Sequence, residues 1–107
     1  MNVESIREYA LSKTEVEEGF SFGEDTLVFK TRGKIFLLLA LDERPVRFNV
    51  KCDPEKAEEL REQYTAILPG YHMNKKHWNT VIVDGSLPPM LLREIIDASY
   101  QLVRGKK

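Results

Sequence analysis

Residues 70–81 read GYHMNKKHWNTV. Both histidines of the chain, His72 and His77, fall in this stretch, with its only tryptophan, Trp78, two lysines and two asparagines. Imidazoles bind metals and move protons, lysines neutralise phosphates, asparagines hydrogen-bond to base edges, and an indole stacks on bases. The spacing narrows these choices. Two histidines five residues apart point about 140° away from each other on a helix, and to opposite sides on a strand. Chelation by this pair therefore needs a loop. Cys52 and Asp84 are the nearest other donors by type, and no recognised ligand spacing joins them. No metal site or cofactor is expected.

Nucleophilic catalysis finds no motif: there is no Gly-x-Ser-x-Gly, phosphate-binding loop or dinucleotide fingerprint. Ser99 reads as a small packing residue in an apolar helical stripe, and Asp97 as a residue that caps or pairs. A non-enzymatic protein is expected. Nucleic-acid binding suits the residue types better. His72, Asn74, Lys75, Lys76, His77 and Asn79 would make polar and phosphate contacts, with Trp78 or Tyr71 able to stack. Arg47, Asn49 and Lys51, with Lys30, Arg32 and Lys34 at a hairpin, would extend that surface. The alternative is a protein- or small-ligand-binding module in which His72, His77 and Trp78 line a pocket. Trp78 opens an apolar strand, so an inward anchor is its expected role.

The elements that must position these residues follow from periodicity. Asn2 is a suitable N-cap, and Val3, Ile6, Ala10 and Leu11 recur at helical spacing, giving a helix over about residues 3–12. A Glu-rich loop and a turn at FSFGED come next. TLVFKT, Arg32-Gly33 and KIFLLLAL read as strand, tight turn, strand. The seven apolar residues Ile35–Leu41 suit a central strand covered on both faces. VRFNVK alternates, placing Val46, Phe48 and Val50 inward and Arg47, Asn49 and Lys51 on the other face. Asp53 and Pro54 open a second helix, and Ala57, Leu60 and Tyr64 give it only a narrow apolar stripe. WNTVIV reads as a strand. LPPMLLREIIDASYQLV is the broadest amphipathic helix, with Gly105 as its terminator. The fold class is α+β: an antiparallel sheet with helices packed on one face.

The length of 107 residues suits one domain, spanning 1–107. There is no run of 18 apolar residues and no signal-peptide pattern, so a cytoplasmic protein is expected, as a monomer. The single cysteine, Cys52, permits no internal disulfide and reads as a small buried apolar group. A net charge of −1 hides segregation. Residues 1–29 carry two basic and seven acidic side chains, and residues 30–51 carry six and two. A local positive face is therefore compatible with an acidic total.

Several blocks, FGEDTLVFK, GKIFLLL, KCDPEKAEELREQY, GYHMNKKHWNTV and LLREIIDASYQLV, resemble the MmcQ/YjbR family in order and over nearly the whole chain. The resemblance implies a frataxin-like (CyaY-like) sandwich with a curved antiparallel sheet, and DNA binding through a "double wing" of hairpins. It implies no established enzyme activity. The motif residues it carries over are His72, Asn74, Lys75, His77, Trp78 and Asn79, with Lys51, Asp53 and Pro54 in the second block; the family also tends to carry Ser99 and Tyr100. The first helix departs from it by ending in LSKTEVEEG rather than a Pro-Gly turn.

Overall fold

Two of the three helices begin where a side chain accepts from an open N–H group, and two carry proline in the first turn, where its missing N–H leaves no donor unpaired. In the computed structural model, which describes residues 1–70 and 73–105, α1 spans Val3–Leu11, α2 Pro54–Gln63 and α3 Pro89–Arg104. Asn2 caps α1 in a reciprocal box: its side chain accepts from the Ser5 N–H, and the Ser5 hydroxyl accepts from the Asn2 N–H. Asp53 caps α2 by accepting from the Lys56 N–H, with Pro54 at the first helical position. Gly105 ends α3 with φ of 80°, a conformation that favours glycine.

Six strands form one antiparallel sheet: β1 Val16–Gly19, β2 Thr26–Thr31, β3 Lys34–Ala40, β4 Val46–Lys51, β5 Ile67–Pro69 and β6 Trp78–Val83, in the order β1-β2-β3-β4-β6-β5. Arg32 and Gly33 turn β2 into β3 with φ of 54° and 79°, the paired positive values that match the twist of a two-residue hairpin. A bulge makes Phe36 the extra residue of β3, since Phe29 faces Leu37 while Lys30 faces Ile35. Phe36 and Leu37 thereby both enter the core.

All three helices pack on one face. Ile6 and Ala10 of α1, Ala57 and Leu60 of α2, and Leu92, Ile96 and Tyr100 of α3 share a single buried cluster with Phe29, Leu37, Phe48, Val50 and Val81. At about 25 cal/mol per Å² of apolar area removed from water, this one layer is the main source of stability. Tyr9 ties α1 to α3, donating to Asp97 at 2.6 Å, and Lys13 also reaches that carboxylate. Burial first, and the bond to Asp97 second, push the Tyr9 phenol up to about 12.

Two strands depart from the sequence reading. β1 lies within the segment read as a Glu-rich loop, and β5 within the segment read as a helix end. Both are edge strands of three or four residues, and edges tolerate charge and proline. The Glu18 side chain turns to the helix side and pairs with Arg7 of α1 at 2.5 Å, which holds its carboxyl below the usual range. β3, which takes in all of the apolar run Ile35–Leu41 except Leu41, is an interior strand as expected, but helices cover it on one face and not on both.

Candidate nucleic-acid interface

Strand register assigns every residue to one face. From edge to edge, Gly19, Val28, Leu38, Asn49, Thr80 and Leu68 form one row opposite the helices. Val28 and Leu38 are buried there although they lie outside the helix-side core cluster. Asn49 accepts a hydrogen bond from the Thr80 hydroxyl. The next row towards the β2–β3 turn carries Glu17, Lys30 and Ile35, and the pair Lys51 and Trp78. On the other side of the central row, Arg47 lies opposite Ile82. The buried Arg47 Nε has no hydrogen-bond partner among the described residues; the Glu43 carboxylate, 3.9 Å away, is too distant to serve.

Trp78 therefore lies on the helix-free face, directly across from Lys51, and is not the inward anchor its apolar strand suggested. Asn79, one residue on, is the inward one. It is buried on the helix side, opposite Val50, and accepts from Arg61 Nε at 2.7 Å. Arg61 of α2 also donates to the carbonyls of Lys75 and Trp78. One guanidinium thus fastens the loop before β6 to the helix, using the fork of donors that only arginine has. Its position gave a signal. Arg61 is four residues after the buried Ala57, so it borders the buried stripe of α2, where a charge needs partners.

The loop also builds itself. Asn74 accepts from the Lys76 N–H at 2.9 Å with its side chain, and from the His77 and Trp78 N–H groups with its carbonyl. That is an Asx turn, so the Asn74 side chain is engaged in shaping the loop. Gly70 is required by close approach: a Cβ there would meet Trp78 Cβ at 2.8 Å and the Trp78 carbonyl at 3.0 Å. Much of the GYHMNKKHWNTV block is thereby accounted for by architecture.

The structure sorts the expected site residues into groups. Lys51, Lys30 and Trp78 share a row, Arg47 shares their face, and Lys75 and Lys76 lie in the loop leading into Trp78. Lys34 is exposed beside the β2–β3 turn, at the same end of the sheet. Arg32 is drawn off towards Glu15 at 3.4 Å, and Arg104 joins that carboxylate at 3.2 Å; together they hold it below its ordinary value. Asn79 is removed from the surface. The His77 carbonyl accepts from the Cys52 N–H, and its imidazole is half-buried. His72 and Tyr71 lie outside the described residues. Among the described residues no three His, Cys, Asp or Glu side chains gather as a cation site.

A second feature lies on the helix side. α2 and α3 leave between them a cleft of about 310 Å³, floored by Val50, Ile67 and Val81 and rimmed by Lys56, Tyr64 and Glu94. Neither His77 nor Trp78 lines it. Cys52 does, and burial, followed by the charge of Asp53, raises its thiol pKa, which leaves it a poor nucleophile.

These features define a small α+β domain with one helix-packed sheet face and one helix-free face bearing basic residues and a tryptophan. A family model described as YjbR matches residues 11–102, and the chain belongs to that family. It is 43% identical to "Uncharacterized protein YbdF" of Escherichia coli O157:H7 over 101 residues, covering 94% of this chain and 82% of that protein. It is 33% identical to "Uncharacterized protein YjbR" of Escherichia coli K12, covering 94% and 86%. The crystal structure of Deinococcus radiodurans DR2400 superposes with a TM-score of 0.93 at 40% identity, covering 98% of this chain and 80% of that one. A Pseudomonas syringae crystal structure gives 0.81 at 30% identity, covering 95% and 98%. No helix among the described residues is long and apolar enough to cross a membrane.

Proposed function

We propose that this protein binds DNA through the helix-free sheet face and the 73–77 loop. The observation that carries the reading is the cross-strand pair of Lys51 and Trp78 on that face, at the end of the sheet that also holds Lys30, Lys34, Lys75 and Lys76. Cations there would bind the phosphates, and the aromatic ring gives the contact a place to stack. About four phosphate contacts correspond to a log–log salt slope of about −3.6 on duplex DNA, or about −2.8 on a single strand. Titration of labelled DNA of both forms at several salt concentrations measures it. Lys75→Ala with Lys76→Ala should flatten the slope by roughly 1.4–1.8. Absence of binding to either form at about 50 mM salt overturns the reading.

The cleft supports a second reading, a small-ligand-binding module. Its volume falls within the range of small-molecule sites, and it has an apolar floor with a few polar groups at the rim. Anilinonaphthalene sulfonate, an apolar ring system with one anion, is the probe. Saturable fluorescence enhancement on the folded protein, lost in Ala98→Phe at unchanged melting temperature, is the expected result. No enhancement, or the same enhancement in the variant, sinks this second reading.

A further inference from the structure

We infer that the DNA this face takes is single-stranded, with an unpaired base stacked on Trp78. The inference rests on the DNA reading and specifies its substrate. It starts from the width of the surface. Six strands about 4.8 Å apart make a face about 24 Å across, twice the roughly 12 Å of a B-form major groove. A face of that width cannot enter a groove to read base edges. The elements that do fit a groove are a helix or a free two-stranded ribbon; all three helices lie on the opposite side of the sheet, and β1 flanks the β2–β3 hairpin as far as Thr31, so it does not stand free as a ribbon.

The content of the face agrees with its shape. Trp78 projects from a strand, not from a protruding tip, so its ring can meet a base only if that base is unpaired and its π-face open. Its cross-strand neighbour on one side is Lys51. On the other side is Gly70, whose N–H bonds to the Trp78 carbonyl and which contributes no side chain. The ring is thus bordered by a cation suited to the sugar-phosphate chain and, on its other side, by a glycine with Met73 next to it. Lys30, in the same row, supplies a further cation along the path, and Arg47 lies on the same face beside Glu43. A basic track with an aromatic stacking residue is the general solution for single strands, tolerant of sequence because every base offers a π-face.

Trp78 is the only tryptophan, so tryptophan emission, excited selectively over the four tyrosines, reports on this residue alone. The experiment titrates the full chain with an oligothymidylate of about twelve nucleotides and, separately, with a duplex of the same length. The expected result is saturable quenching of Trp78 by the single strand, with affinity at least about tenfold above that for duplex. Trp78→Ala should lose roughly tenfold to a hundredfold in single-strand affinity, and Trp78→Phe should keep part of it, because a phenyl ring still stacks. The quenching measurement on the unaltered protein stands even where a variant fails to fold. Duplex binding that equals or exceeds single-strand binding, with Trp78 emission unchanged, overturns the inference and leaves the DNA reading intact. Failure of both forms to bind overturns both.

Discussion

Arg61→Ala is expected to destabilise the protein by about 2–4 kcal/mol and to release the loop that leads into Trp78. Truncation strands the Oδ1 of Asn79, which is 1% exposed and bonded to Arg61 at 2.7 Å. It also removes the donor that the Lys75 and Trp78 carbonyls share. Bonds from a charged donor contribute about 1.5–3 kcal/mol, and a buried acceptor left without its partner loses the upper part of that range. For a domain of this size, about 3 kcal/mol lowers the melting temperature by roughly 12–24 °C. Arg61→Lys should recover little, since an ammonium on a flexible stem cannot serve Asn79 and the loop backbone from one rigid plane. Thermal unfolding by circular dichroism checks both variants. A fall of less than about 4 °C for Arg61→Ala would show that the loop is held by its own Asx turn and not by α2. DNA affinity at low salt should fall alongside stability, because Lys75 and Lys76 lose the frame that presents them.

What could be read from the sequence follows a physical divide. Elements with a strong local signal were legible: the Asn2 and Asp53 caps, the Arg32-Gly33 turn, and the broad stripe of α3, whose 16 residues pack over the sheet. VRFNVK was legible because only one of its faces is apolar. WNTVIV was legible as a strand but not in its orientation, since apolar residues lie on both faces, Trp78 and Ile82 on one and Val81 and Val83 on the other, and alternation alone cannot orient it. Only the pairing of Lys51 with Trp78 decides the matter, and that pairing is a long-range property. The edge strands escaped for the opposite reason: with three or four residues and charged or proline positions, they exist because β2 and β6 offer a free edge. At the candidate site, residue types suggested chemistry for Asn74 and Asn79 that the fold had already committed to a turn and to an arginine.

Ser99→Ala is expected to lower stability by about 2–6 kcal/mol, although it removes one oxygen and opens almost no cavity. The β3–β4 pairing runs from Leu39 opposite Phe48 to Leu37 opposite Val50, and beyond it the bulge at Phe36 carries β3 away from β4. The Phe36 carbonyl and the Lys51 N–H then need another partner. Ser99 of α3, fully buried, supplies both halves: its hydroxyl donates to the Phe36 carbonyl at 2.6 Å and accepts from the Lys51 N–H at 2.9 Å. A methyl group in its place leaves two backbone groups unsatisfied, at about 1–3 kcal/mol each. A residue that the apolar stripe of α3 presents as mere packing is thus a splice in the sheet, and it sits behind Lys51, whose side chain lies on the helix-free face. The variant should therefore melt roughly 8–16 °C lower even at the smaller estimate. Amide exchange should locate the added opening at Lys51 before it reaches Phe48 and Val81. Uniform loss of protection across β4 and β6, or a melting shift below about 4 °C, would mean that β3 and β4 close the gap without the serine.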